Sequence, residues 1–68
     1  MASATARVAK RVVELRQKRR MSQEALAKKT GLNRVTLARL ERALHPPNLD
    51  TLDRIAKALK VPLVDLVK

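Results

Sequence analysis

The sequence predicts an all-α fold, a compact bundle of five short helices. Three observations carry that expectation. Apolar residues recur three and four positions apart, as in Val8, Val12 and Leu15 or Leu52, Ile55, Ala56 and Leu59, the period of a helix with one buried face. No segment alternates apolar and polar residues as a half-buried strand would, and no repeat or low-complexity tract interrupts the pattern. Ser22, Asn33 and Asn48 each stand just before a periodic stretch, where a short polar side chain accepts a hydrogen bond from the free N–H groups of a first turn.

Helix one runs to about Lys18, with Val8, Val12 and Leu15 inward and Arg7, Lys10, Arg11, Lys18 and Arg19 on the other faces. Its start falls within residues 1–5, a small and polar stretch expected to fray, with Ser3 or Thr5 as the candidate cap. Ser22 caps helix two, and Glu24 in the first turn suits the positive end of the helix dipole. Leu26, Ala27 and Thr30 form its inner stripe. Gly31, the only glycine in the chain, supplies the positive φ that ends this helix sharply, and Ala27 is small enough for the next helix to cross close by. Asn33 caps helix three, which runs to about Arg42 with Leu37 and Leu40 inward. Pro46 and Pro47 make a loop of residues 43–47. Helix four, capped by Asn48, is expected to turn Leu49, Leu52, Ile55, Ala56 and Leu59 to the core, with Asp50 and Asp53 near its start. Pro62 suits the beginning of a last short helix carrying Leu63, Leu66 and Val67.

The net charge is +10 and the pI near 11.5, extreme for 68 residues, and it points to a polyanionic partner. Residues 1–45 hold twelve Lys or Arg against three Asp or Glu, a net of +9, whereas residues 46–68 hold four against three, a net of +1. The polyanion is therefore expected on the first two-thirds. Phe, Tyr and Trp are all absent, which removes the stacking platforms on which single-strand and RNA modules hold splayed bases. Double-stranded DNA fits this composition best, with RNA gripped through its backbone as the alternative.

A chain of this size is one domain and buries only about 60% of the surface its unfolded form exposes. There is no cysteine and a single histidine, His45, so neither disulfides nor a Cys/His metal site can stabilise it. Helix packing or dimerisation must. No apolar run has the length of a signal peptide or membrane span, which makes a cytoplasmic, nucleoid-associated protein with no membrane partner the expectation.

The segment SQEALAKKTGLNRVTLARLER, Ser22 to Arg42, resembles the helix-turn-helix of the Cro and phage-repressor (XRE) family in its order of small residue, turn glycine and buried leucines. The likeness covers residues 8–67: Arg16 before the motif, Ser22 and Gln23 at its start, Glu41 at its end, then Pro47, Asn48, Leu49, Asp50, Thr51 and Leu52, and Ile55, Ala56, Lys57, Ala58 and Leu59. The resemblance implies one DNA-binding domain over residues 1–68, with the helix-turn-helix at 23–42 and a dimerisation segment at 61–68. It also implies an ion pair between Arg16 and Glu41 that ties helix one to the end of helix three. In the family the counterpart of Gln23 bonds a phosphate and braces the reading side chains.

Three positions depart from the family pattern. Where relatives place glycine after helices one, three and four, this chain has Arg20, Ala43 and Lys60, each costing about 1 kcal/mol if a left-handed conformation is kept. Relatives also tend to place a basic residue near Leu44 to hold phosphate. Leu44 cannot do so, which leaves Arg42, His45 and backbone amides for that contact.

With Leu37 and Leu40 inward, Val35, Ala38, Arg39 and Arg42 point outward, and Asn33, Arg34 and Thr36 stand at the amino-terminal end, which enters the major groove in the family. Asn33, Arg34, Val35, Thr36 and Arg39 are thus the expected base contacts. Each arginine can take guanine with two hydrogen bonds and Val35 can pack on a thymine methyl, the alternative for the arginines being phosphate. One such helix reads only a few base pairs, and specific binders of this type pair across half-sites about 34 Å apart. Val61, Leu63, Val64, Leu66 and Val67 exceed what one short helix buries, so they form the expected homodimer interface. Alternatively they close the monomer core.

The function expected from all this is sequence-specific regulation of transcription, of repressor or controller type, by a homodimer on a palindromic operator. No cofactor, metal or small-molecule ligand is expected. Two other readings stay open: a DNA-binding antitoxin that also holds a partner protein, and a basic RNA or nucleoid binder that senses only backbone. Catalysis has no support, since the six carboxylates are scattered, His45 has no partner nearby in sequence and there is no Gly-rich phosphate loop.

Overall fold

The computed structural model describes residues 3–68, and among them every regular element is helical. The five helices are α1 (Ala4–Lys18), α2 (Gln23–Thr30), α3 (Arg34–Glu41), α4 (Leu49–Leu59) and α5 (Val64–Val67). Each of the first four starts on the side chain the sequence offers. The Ser3 hydroxyl accepts from the Ala6 N–H (3.1 Å), Ser22 from Ala25 (3.0 Å), Asn33 from Val35 (2.7 Å) and Asn48 from Thr51 (2.8 Å). A cap of this kind contributes about 1 kcal/mol. Ser3 is therefore the cap of α1, and Ala4 and Thr5 are helical rather than frayed, while Met1 and Ala2 lie outside the described residues.

The same four helices also end alike. A residue in the left-handed region follows each one, and the N–H of the next residue reaches back five positions: Met21 to the Arg16 carbonyl (3.0 Å), Leu32 to Ala27 (3.1 Å), Leu44 to Arg39 (3.1 Å) and Val61 to Ala56 (3.0 Å). The left-handed residues are Arg20 (φ 55°), Gly31 (75°), Ala43 (58°) and Lys60 (57°). The positions where relatives tend to have glycine thus keep the conformation without it, at about 1 kcal/mol each. Gly31 itself needs no extra room, because a Cβ built there would meet nothing within 4 Å.

The core is made of Val8, Val12 and Leu15 of α1, Leu26 and Ala27 of α2, Leu37 and Leu40 of α3, Leu52, Ile55, Ala56 and Leu59 of α4, and Leu66 of α5. Met21, Leu32 and Val61, the residues after three of the four helix ends, pack against it, so each turn is anchored by the apolar side chain that comes next. α1 lies against α5, α3 and α4, while α2 packs on both α3 and α4. Thr30 is the single buried polar residue among those described. Its hydroxyl lies within 2.9 Å and 3.0 Å of the Leu26 and Ala27 carbonyls and accepts from the Leu32 N–H at 3.3 Å, so it is buried with its hydrogen bonds made.

Leu49 departs from the sequence reading: it is 69% exposed rather than inward. At 100° per residue it stands roughly 70° from the middle of the stripe formed by Leu52, Ile55, Ala56 and Leu59. It is also the first residue of α4, beyond the edge of the core. Among the described residues, no helix is long and apolar enough to cross a membrane.

Candidate nucleic-acid interface

α3 is held by Leu37 and Leu40, which are buried, and this anchoring decides what the rest of the helix presents. Arg34, Val35, Thr36 and Arg39 are exposed along it, with Asn33 just before it and Arg42 just after. Val35 is 52% exposed on a face otherwise lined by arginines and a threonine. A helix face that combines guanidinium groups, a hydroxyl and one apolar surface has the chemistry of base edges and phosphates rather than of a protein core.

Behind this face lies a node that the sequence reading saw only in part. The Arg16 guanidinium grips Glu41 with two hydrogen bonds, Nε to Oε2 at 2.8 Å and Nη2 to Oε1 at 3.0 Å. Its Nη1 donates to the Met21 carbonyl at 2.8 Å. The pair is not a surface bridge, since the side chains are only 13% and 4% exposed. Gln23 joins it, its amide nitrogen donating to Glu41 Oε1 at 2.9 Å. One carboxylate at the end of α3 therefore ties α1 and the first residue of α2 to α3. Buried ion pairs are kept only where the polar atoms are satisfied, and here no buried side-chain nitrogen or oxygen among the described residues lacks a partner. The Met21 carbonyl and the Gln23 bond left no signal in the sequence, because both depend on how closely the turn at residues 19–22 approaches α3.

Thr36, Arg39 and His45 come together around a recess of about 240 Å³, closed by Leu40, Pro46, Pro47, Asn48 and Thr51. The loop through the two prolines places His45 beside α3 at this recess. His45, Arg42 and Leu44 are exposed. Gln23 is half-buried, with its amide nitrogen already bonded to Glu41 and one N–H of that nitrogen left for a further acceptor. Lys18, Arg19 and Arg20, all exposed, form the end of α1 and the first part of the turn before α2.

The expected interface residues divide. Val64 and Val67 are exposed, whereas Val61 and Leu63 are half-buried against the core. Leu66 is 1% exposed. It closes the monomer core against α1 and α4, so it has no surface left for a second chain. A bond from the Arg11 Nε to the Asp65 carbonyl (2.9 Å) fixes α5 on α1 and gives the reason, because it turns the Leu66 side of this short helix inward. Leu49, which the sequence reading placed in the core, joins the exposed apolar set instead.

Over residues 12–66 the chain matches the helix-turn-helix family. It is 37% identical over 60 residues to the immunity repressor protein of Bacillus phage phi105, a match covering 88% of this chain and 42% of the repressor. The chain thus spans less than half the length of that relative. Its fold is similar to that of the restriction-modification controller protein C.AhdI from Aeromonas hydrophila, with a TM-score of 0.88, 31% identity and coverage of 91% of this chain and 94% of that one. The controller protein C.Esp1396I, solved as a tetramer in complex with its natural 35 base-pair operator, superposes with a TM-score of 0.85 at 25% identity over 100% of both chains. Helix order, turn, buried leucines and relatives agree, and the chain belongs to the Cro and phage-repressor type of the helix-turn-helix family, DNA-binding regulators of transcription.

Proposed function

We propose that this protein is a homodimeric, sequence-specific regulator that binds a palindromic operator in the nucleoid and acts as a repressor or controller. α3 enters the major groove, where Asn33, Arg34, Val35, Thr36 and Arg39 contact base edges, while Gln23, Arg42 and His45 hold phosphates on either side. The observation that carries this reading is the outward face of α3, where Arg34, Val35, Thr36 and Arg39 are exposed together on a helix anchored by Leu37 and Leu40. The operator complex of the similar controller protein supports it. Dimerisation uses Val64 and Val67 of α5 with the half-buried Val61 and Leu63, and Leu66 serves the core instead.

Selection of bound duplexes from a random library, followed by titration at several salt concentrations, tests the proposal. A consensus made of two inverted half-sites is expected, with affinity for it about a thousand-fold or more above that for random duplex. Recovery of no consensus, with affinity governed by salt alone, would leave only a backbone binder. Sedimentation as a monomer both free and on DNA would remove the α5 interface.

A further inference from the structure

The surface carries a second cationic feature apart from α3. Between the carboxyl-terminal ends of α2 and α4 lies a recess of about 410 Å³, lined by Lys29, Thr30, Arg54, Lys57, Ala58 and Lys60. Thr30 is buried and Ala58 half-buried, so two small side chains form the floor. The four cations are all exposed and form the rim. Residues 46–68 have only four Lys or Arg, and three of them stand here. Asp53 pairs with Lys57 at 3.0 Å, while among the described residues Lys29, Arg54 and Lys60 form no ion pair. Favourable interaction with the negative end of a helix accounts for Lys29 and Lys57, which occupy last turns. It accounts for Lys60 as well, the residue that ends α4, but not for Arg54 in the middle of α4, nor for two helix ends bringing their cations to one concavity.

We propose that this recess docks an acidic segment of a partner protein, two or three of whose Asp or Glu side chains reach Lys29, Arg54 and Lys60 while the chain is on DNA. Flexible carboxylate side chains can enter a recess with a small-residue floor and meet guanidinium and ammonium groups there. A DNA duplex fits less well, because no residue of α3 lines the recess and the groove-facing surface is built elsewhere. Docking would leave that surface free, so a regulator could hold DNA and a protein together.

The test is an NMR titration of the isotopically labelled chain, saturated with a random-sequence duplex, with a dodecapeptide of alternating Glu and Ser. The duplex occupies the DNA-facing surface whatever its sequence, so the outcome does not depend on a specific operator. Amide shifts confined to the residues lining the recess are expected. The double variant Arg54→Gln, Lys60→Gln, both exposed and outside the DNA face, should weaken peptide binding about ten-fold and leave the salt dependence of duplex binding unchanged. Displacement of the duplex by the peptide, shifts spread over α1 or α3, or an unaltered affinity in the variant would overturn the proposal. So would a salt slope reduced by about 1 or more, which would assign these cations to phosphates instead. Circular dichroism checks that the variant is folded.

Discussion

On its amino-terminal side α3 is preceded by a turn in which Gly31 takes the left-handed conformation and Leu32 sinks against the core. On its carboxyl-terminal side Ala43 takes the same conformation, the next N–H makes the same bond five residues back, and Leu44 stays 52% exposed. The backbone is the same in both places, and the packing is not. Before α3, Thr30 and Leu32 bind the turn to the core and the Asn33 cap sets the first turn of the helix. At its other end Glu41, the last residue of α3, is anchored, and beyond it Arg42, Leu44, His45 and Pro46 are all exposed before Asn48 starts α4. Orientation of α3 is thus set by its buried leucines, the turn before it and Glu41, and the loop beyond is left to vary in what it offers a phosphate.

The largest effect is expected where that anchoring is broken. Glu41→Ala leaves the Arg16 guanidinium buried without its carboxylate and should cost about 3 to 5 kcal/mol in urea unfolding. Arg16→Ala should cost a similar amount, since it strips Glu41 and the Met21 carbonyl of donors. The two losses should not add, because both remove one interaction. Replacing the pair together by Met and Leu, of similar shape, should cost less than either single change, the remaining loss coming from the Met21 carbonyl and the Gln23 amide left without these partners. A loss below about 1 kcal/mol for Glu41→Ala would mean that the node behaves as an exposed pair and does not fix α3.

Next come the reading residues. Arg34→Ala and Arg39→Ala, measured on the selected operator and on single-base variants of it, should each lose about 1 to 3 kcal/mol of discrimination at one base pair. Arg39 shares its recess with Thr36 and His45, so a loss equal on all sequences would move it to the phosphate class.

Much of this was legible beforehand, and for identifiable reasons. The caps Ser22, Asn33 and Asn48 and the buried leucines are local signals, so they could be read from spacing alone. The residues after helices one, three and four could be suspected of left-handed backbone only through the family resemblance, because Arg, Ala and Lys carry no mark of it. Leu49 falls outside the core because periodicity gives a face but not where the core stops, and Leu66 goes to the monomer core because a surplus of apolar residues does not say which of them the monomer keeps. The bonds that Met21 and Gln23 add to the Arg16–Glu41 node depend on tertiary approach, to which sequence spacing is blind.

Backbone strain separates the two ends of α3 by sign. Gly31→Ala should destabilise by about 1 kcal/mol from the positive φ alone, since its Cβ meets no neighbour. Ala43→Gly should stabilise, by up to about 1 kcal/mol, because it relieves the same strain on the other side. A loss of about 3 kcal/mol or more for Gly31→Ala would show that the turn demands glycine for space as well as conformation.

The smallest effect on stability belongs to Leu44. Half exposed and outside the buried core, it should change to Lys with a loss or gain within about 0.5 kcal/mol. Its effect on DNA binding is the informative one. The Leu44 N–H is already committed to the Arg39 carbonyl, so the backbone keeps the side chain pointed out from the loop whichever residue is there. An ammonium group at this position, beside Arg42 and His45, should add one phosphate contact and steepen the salt dependence of binding by about 0.9 in log–log slope. An unchanged slope would mean that this loop does not approach the backbone, and the phosphate roles of Arg42 and His45 would fall with it. A steeper slope would mean that the carboxyl-terminal side of α3 has the geometry of a phosphate clamp and lacks only the charge.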